Sequence, residues 1–174
     1  MQSDSKKPRG AVAILIKNEA DDHWLLMIKR RENPKDPWSG QMAFPGGHSD
    51  PTDRRLYDTA RRETIEEVGI DLNEHRFLGC LSNVQTRNVP IIVSPFVFVG
   101  LKNIDPTTSR EATEFIWVPI SFLENPKNIC SVMLRIRDAN VLLGAYNYLG
   151  HVIWGMSFRI IREIISTITN YAET

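Results

Sequence analysis

Residues 46–70 read GGHSDPTDRRLYDTARRETIEEVGI, with a Gly-Gly pair ahead of an Arg-Glu pair and a Glu-Glu pair. Glu63, Glu66 and Glu67 fall at i, i+3 and i+4, so a helix here projects all three carboxylates from one side. Like charges this close repel one another, whereas a solvated helix face usually intersperses signs. Three acids crowded beside Arg62 therefore fit a divalent cation. Oxygen-only ligands suit a hard ion, which makes Mg2+ the expected metal, with Mn2+ able to stand in its place. The alternative is a charged, solvated helix with Arg62 and Glu66 as an i,i+4 ion pair.

These acids need a helix to carry them and a framework to hold it. The helix is expected from Asp53 to Val68, with Leu56, Tyr57 and Ala60 on buried sides and a stop at Gly69. Upstream, Ala11 to Lys17 and His23 to Arg30 read as strands joined by a hairpin-like connection over residues 18–22. Pro34 and Pro37 break residues 31–40 into a surface loop that leads to a short strand, Met42 to Phe44. Further strands are expected at Arg76 to Leu81, Ile91 to Val99, Glu114 to Val118 and Val132 to Ile136. A final amphipathic helix from Ser157 to Thr169 turns Ile160, Ile161, Ile164, Ile165 and Ile168 inward. Polar residues 1–9 read as a loose tail and residues 10–174 as a single domain.

Composition limits the partners. Lys+Arg and Asp+Glu both number 21, for a formal net charge of zero. A surface built for polyanions carries a basic excess, so nucleic acid and anionic membrane are not expected as partners. No apolar run reaches the 18 or so residues of a membrane span, and MQSDSKKPRG lacks the apolar core of a signal peptide. A cytoplasmic protein is expected. Cys80 and Cys130 stand far apart and form no CxxC pair, which favours buried reduced thiols over a disulfide or a zinc site.

Residues 44–70 resemble the Nudix box, in which Gly, five residues, Glu, seven residues, then Arg-Glu, an apolar residue, any residue, Glu-Glu, any residue, Gly and an apolar residue form a loop-helix-loop. Phe44-Pro45-Gly46-Gly47 corresponds to the entry, Arg62-Glu63 to the middle, Glu66-Glu67 to the metal pair and Gly69-Ile70 to the exit. Arg62 lies one residue farther from Gly47 than the general pattern requires. The loop Glu is replaced by Asp53 or, counted back from Arg62, by Arg54, and Thr64 stands where an apolar residue is usual. The longer spacing is similar to the coenzyme A pyrophosphatase branch of the family, as are Gly40-Gln41 before Phe44 and Ile153-Trp154-Gly155-Met156-Ser157 near the other end. Residues 31–38, Arg-Glu-Asn-Pro-Lys-Asp-Pro-Trp, depart from that branch.

The resemblance implies an α/β fold, an α/β/α sandwich with a mixed β-sheet, and hydrolysis of a pyrophosphate bond in a nucleoside diphosphate joined to another group. Metal ions held by Glu63, Glu66, Glu67 and the Gly47 carbonyl would neutralise the phosphates and acidify a water, while Arg62 fixes the glutamates in place. Gly46 and Gly47 permit a tight turn and close backbone approach. The general base is open among Glu66, Glu67, Glu111 and Glu114. Arg30 and Arg31, at a strand end, are candidates for substrate phosphates. His48 and Trp38 are candidates for substrate contact, whereas Trp117 and Trp154 read as core. The expected substrate is a small nucleotide, coenzyme A or its thioesters first, with ADP-ribose, a dinucleotide or a nucleoside triphosphate as alternatives. A non-catalytic nucleotide-binding regulatory module is the alternative of another class, and a homodimer is an open assembly.

Overall fold

The two apolar runs near the start of the chain become adjacent strands, β1 (Arg9–Glu19) and β2 (Asp22–Arg30), paired antiparallel across a turn at Asp21, whose φ is 64°. This computed structural model describes residues 9–19, 21–34, 36, 38–86, 90–101, 104–136 and 139–172. The expected tail lies outside the described residues, apart from Arg9, which opens β1.

Short strands β3 (Met42–Ala43) and β4 (Gly46–His48) follow, then helix α1 (Leu56–Val68). Strands β5 (Arg76–Cys80), β6 (Val84–Gln85), β7 (Ile92–Val99) and β8 (Ala112–Pro119) complete an eight-stranded mixed sheet. Its central pair, β1 and β7, is parallel, while the other pairs are antiparallel. After a short helix α2 (Ile120–Glu124), strands β9 (Ile129–Ile136), β10 (Ala139–Tyr148) and β11 (His151–Trp154) form a second, antiparallel sheet, and helix α3 (Gly155–Ala172) closes the chain.

Both faces of the main sheet are covered, which explains why β1 and β2 read as apolar runs and not as alternating strands. On one face, Ala11, Ala13, Leu15, Leu26 and Ile28 pack with Ala60 and Val68 of α1. On the other, Val12, Ile14, Ile16, Leu25 and Met27 pack with Ile160, Ile161, Ile164 and Ile165 of α3. The expected three-layer sandwich is the observed architecture.

Helix α1 starts at Leu56, three residues later than expected, because the intervening residues are held in a turn. The Asp50 carboxylate accepts from the Thr52 N–H at 2.9 Å, the Asp50 N–H donates to Asp53 at 2.9 Å, and Arg55 is extended at φ −143°. Gly69 ends the helix as expected, at φ 72° with its N–H on the Ile65 carbonyl. Helix α3 begins at Gly155, and Ile168 is 37% exposed where the helix passes the end of the core, so its inward assignment is corrected. Strands β10 and β11 were not expected. Cys80 is exposed and Cys130 half-buried; both are free, so the expectation of buried thiols is also corrected. Among the described residues no helix is long and apolar enough to cross a membrane.

Candidate active site

The sheet and α1 meet at the Gly46-Gly47 strand. β4 pairs with β1, Gly46 opposite Val12 and Gly47 opposite Ala11, which brings the backbone under the inner face of α1. A Cβ on Gly46 would collide with the Ala11 carbonyl oxygen, and one on Gly47 with the carboxylate of Glu63. The pair is therefore required by contact with a strand on one side and an acid on the other.

Glu67 is fully buried. Its Oε2 accepts from the Gly46 N–H at 2.8 Å, and its Oε1 lies 3.8 Å from Arg30 Nη1. Burial pushes its carboxyl up to about 8, opposed by that N–H and by Arg30. Burial also raises Glu63, whose side chain is 13% exposed. Glu63, Glu67 and Glu111 each offer a carboxylate oxygen within 4.8 Å of the others. Glu111 arrives from the loop before β8, held where the Arg31 N–H donates to its carbonyl at 2.9 Å and its own N–H donates to Ser109 Oγ at 3.1 Å.

Arg62 fixes the outer side of the cluster. Its Nε and Nη2 donate to the two Asp53 oxygens at 3.2 and 3.0 Å, Nη2 also to the His48 carbonyl at 3.1 Å, and Nη1 to Glu63 at 2.7 Å and Glu66 at 3.1 Å. Asp53, not Arg54, therefore faces the arginine across the lengthened loop. The Arg62 guanidinium holds the Asp53 carboxyl down at about 2, and Asp53 in turn raises Arg62 further above its ordinary value. Thr64, at a usually apolar position, is buried with its hydroxyl on the Ala60 carbonyl at 2.7 Å, so no polar group is left unmet there.

The acids open on a cleft of about 490 Å3 lined by Arg30, Trp38, Gly46, Gly47 and His48 among the expected residues. Arg30 donates from Nε and Nη2 to one Asp36 oxygen at 3.1 and 2.9 Å, and Trp38 stands 6.1 Å from His48 between ring centroids. Other expected residues fall elsewhere. Glu66 has a side chain 53% exposed and turned to Arg62, outside the group of three. Glu114 sits on β8 with its carboxylate 3.2 Å from His151 Nε2, and Arg31 donates to the Arg110 carbonyl at 3.5 Å; neither lines the cleft. Trp117 packs on the α1 side of the sheet, as a core residue should.

The facing wall was not anticipated. Trp154, Met156, Phe158 and Arg159 come from the end of β11 and the start of α3, and Gly144 lies beneath the Phe158 ring. Trp154 is thus a cleft residue, correcting its reading as core. The signal lay in Trp154-Gly155, where Gly155 at φ 65° turns a strand into a helix.

The oxygen-only donor set fits a hard divalent cation. Its carboxylates converge over a span close to that between opposite ligands at about 2.0–2.6 Å, and the acidity of Glu67 is suppressed where a positive charge would restore it.

The NUDIX domain model matches residues 7–136, and the chain belongs to the Nudix family. An uncharacterized Schizosaccharomyces pombe protein is 38% identical over 132 residues, which is 71% of this chain and 39% of the relative. A probable nudix hydrolase of the same organism is 27% identical, with 91% of this chain and 55% of the relative covered. The chain thus spans about two fifths and just over half the length of these two relatives. The uncharacterized Nudix hydrolase NudL of Photorhabdus laumondii is 29% identical over 80% of this chain and 74% of its own. Among solved structures, the NUDIX domain of Shewanella oneidensis NrtR complexed with ADP ribose aligns with a TM-score of 0.63 at 12% identity, covering 94% of this chain and 90% of that one. A Caenorhabditis elegans Ap4A hydrolase aligns at 0.55 and 19% identity over 66% and 81%. These likenesses establish the fold.

Proposed function

We propose that this chain is a Mg2+-dependent pyrophosphohydrolase that cleaves a nucleoside diphosphate joined to another group, with coenzyme A or its thioesters as the preferred substrate. The observation that carries it is the convergence of Glu63, Glu67 and Glu111 beside Gly47 at the head of an open, largely apolar cleft. Glu63, Glu67 and the Gly47 carbonyl would hold the cation, with Glu66 joining them on exchanging Arg62 for it. When bound, the cation offsets pyrophosphate charge and makes a nearby water more acidic.

The chain's own residues supply the remainder. Arg62 keeps Glu63 and Glu66 from drifting apart, and Asp53 keeps Arg62 in place. Glu111, exposed at the rim, is the best candidate to take the proton from the attacking water. Glu114, paired with His151, drops behind it in this role. Water attacks one phosphorus, the bridging P–O bond breaks, and the second phosphate departs with its electrons. Arg30, beside Glu67, is placed to meet a phosphate oxygen, and Trp38 with His48 flanks the same mouth.

Support for coenzyme A comes from the longer Gly47–Arg62 spacing, Gly40-Gln41 and Ile153-Trp154-Gly155. An ADP moiety is shared with the ADP ribose bound in the NrtR structure. Kinetics on coenzyme A, ADP-ribose and diadenosine tetraphosphate in Mg2+ test the choice. The highest kcat/KM is expected for coenzyme A, cleaved to 3′,5′-ADP and 4′-phosphopantetheine. Rates for ADP-ribose tenfold above those for coenzyme A would reject coenzyme A and leave the pyrophosphohydrolase reading standing.

A further inference from the structure

Arg159 stands apart from the cations near the acidic end of the cleft. Arg30 and Arg62 are both matched to carboxylates. Arg159 also lines the cleft, near the start of α3, but among the described residues no carboxylate lies within ion-pair distance of it. Its Nη1 donates to the Gln85 carbonyl at 2.9 Å, which anchors the guanidinium to β6. That hydrogen bond aims the group without neutralising it, and among the described residues most of the five donors of the arginine are left for a further acceptor.

The strand order places this charge relative to the acids. β6 pairs with β7, β7 with β1, and β1 with β4, whose Gly46 N–H holds Glu67. Gln85 aligns through Ile92 with Arg9, whereas Gly46 faces Val12, so three strand spacings of about 4.8 Å and three residues along β1 put Gln85 about 17 Å from Gly46. Apolar side chains line the interval, Val12, Val93 and Met42 on one side and Trp154 and Phe158 on the other. A ligand matched to this cleft is therefore anionic at both ends and flat or apolar between them. A bound cation, a diphosphate and a ribose fill most of that length, so the second anion belongs on the nucleoside.

We propose that Arg159 is a specificity residue that binds a phosphate monoester on the ribose of the substrate, so that the enzyme selects nucleoside diphosphates carrying this third phosphate. The proposal rests on the pyrophosphohydrolase reading above and assigns one residue to the choice among its substrates. A guanidinium–phosphate contact is charge-assisted and well suited to a planar fork, and its loss typically costs ten- to a hundred-fold, about 1.4 kcal/mol per tenfold.

The test compares matched pairs that differ only in a phosphate monoester on the adenosine ribose: coenzyme A with dephospho-coenzyme A, at the 3′-oxygen, and NADPH with NADH, at the 2′-oxygen. The wild-type enzyme is expected to favour the phosphorylated member of each pair in kcat/KM by about ten- to a hundred-fold. Arg159→Ala should bring that ratio near unity, with the loss falling on the phosphorylated member through KM, and Arg159→Lys should retain part of it. As a binding readout, adenosine 3′,5′-bisphosphate should inhibit the wild type more strongly than 5′-AMP, and Arg159→Ala should erase the difference. An unchanged ratio in Arg159→Ala, or an equal loss on both members, overturns the assignment. Hydrolysis of both members without preference overturns it and leaves the pyrophosphohydrolase reading intact, whereas no hydrolysis of any pyrophosphate compound in Mg2+ removes both.

Discussion

Glu67 and Glu111 share one cluster but differ in burial, and that separates the phenotypes their loss should produce. Glu67→Gln keeps an acceptor for the Gly46 N–H and removes the charge, so turnover should fall by about two orders of magnitude or more with little loss of stability. The Mg2+ concentration needed for half-maximal rate should rise with it. Glu111→Gln should lower kcat by about 10²–10⁴-fold, the range for a lost general base, while the Mg2+ requirement stays close to the wild-type value. A Glu111→Gln enzyme with normal turnover would return that role to one of the helix acids. Asp53 offers a test free of catalysis. Its folded carboxyl titrates at about 2 against an ordinary value of 3.8, so the folded state gives up the proton more readily than the unfolded chain. The stabilisation is fully present above about pH 4 and is lost as pH falls through about 2, and with solvent screening of the Arg62 pair it amounts to about 1 kcal/mol. Asp53→Asn should therefore unfold more easily in denaturant at pH 6 and approach the wild type near pH 2; a constant difference across that window would contradict the pairing with Arg62.

At the scale of elements, the junction of β4 with α1 is where sequence and structure agree most closely. Glu63 and Glu67, one turn apart, do converge, because Gly47 lets the strand pass beneath the Glu63 carboxylate. Gly47→Ala should displace Glu63 and cost at least about tenfold in activity with a modest change in stability, since the obstructed partner is a side-chain end. Gly46→Ala meets backbone instead and should lower the unfolding free energy by several kcal/mol, a contrast that thermal melts and rates on the two variants will show. The box, the first two strands and the start and stop of the last helix were readable to within a few residues because periodicity and glycine stops are local signals. The β10–β11 hairpin was not. Val141, Leu142 and Leu143 run together, and Leu142 and Met133 face one another across the β9–β10 pair at 61% exposure each, so apolar residues fill outward as well as inward positions and the sequence there shows no hydrophobic alternation. With that hairpin hidden, Trp154 had no cleft to line. The choice of Glu111 over Glu114 was equally beyond local pattern, because it depends on which residue of the loop before β8 reaches α1.

On the scale of the whole molecule, two helices seal opposite faces of one sheet, and the cleft lies where β1, β4 and β7 present their ends between α1 on one side and the β10–β11–α3 unit on the other. If the acidic cluster around the buried Glu67 holds a cation in the folded state alone, Mg2+ at a hundred times its Kd should add about 2.7 kcal/mol. For a chain of this length that corresponds to a rise in Tm of about 5–10 °C, which Glu67→Gln should largely abolish. The most direct measurement is the rate of pyrophosphate hydrolysis by the purified chain, on coenzyme A and on ADP-ribose, in Mg2+, in EDTA, and after Mg2+ is restored. Hydrolysis in Mg2+, loss of activity in chelator and recovery on readdition are expected. Undiminished hydrolysis in EDTA, or no hydrolysis of any pyrophosphate compound in Mg2+, would contradict a metal-dependent pyrophosphohydrolase built on Glu63, Glu67 and Glu111.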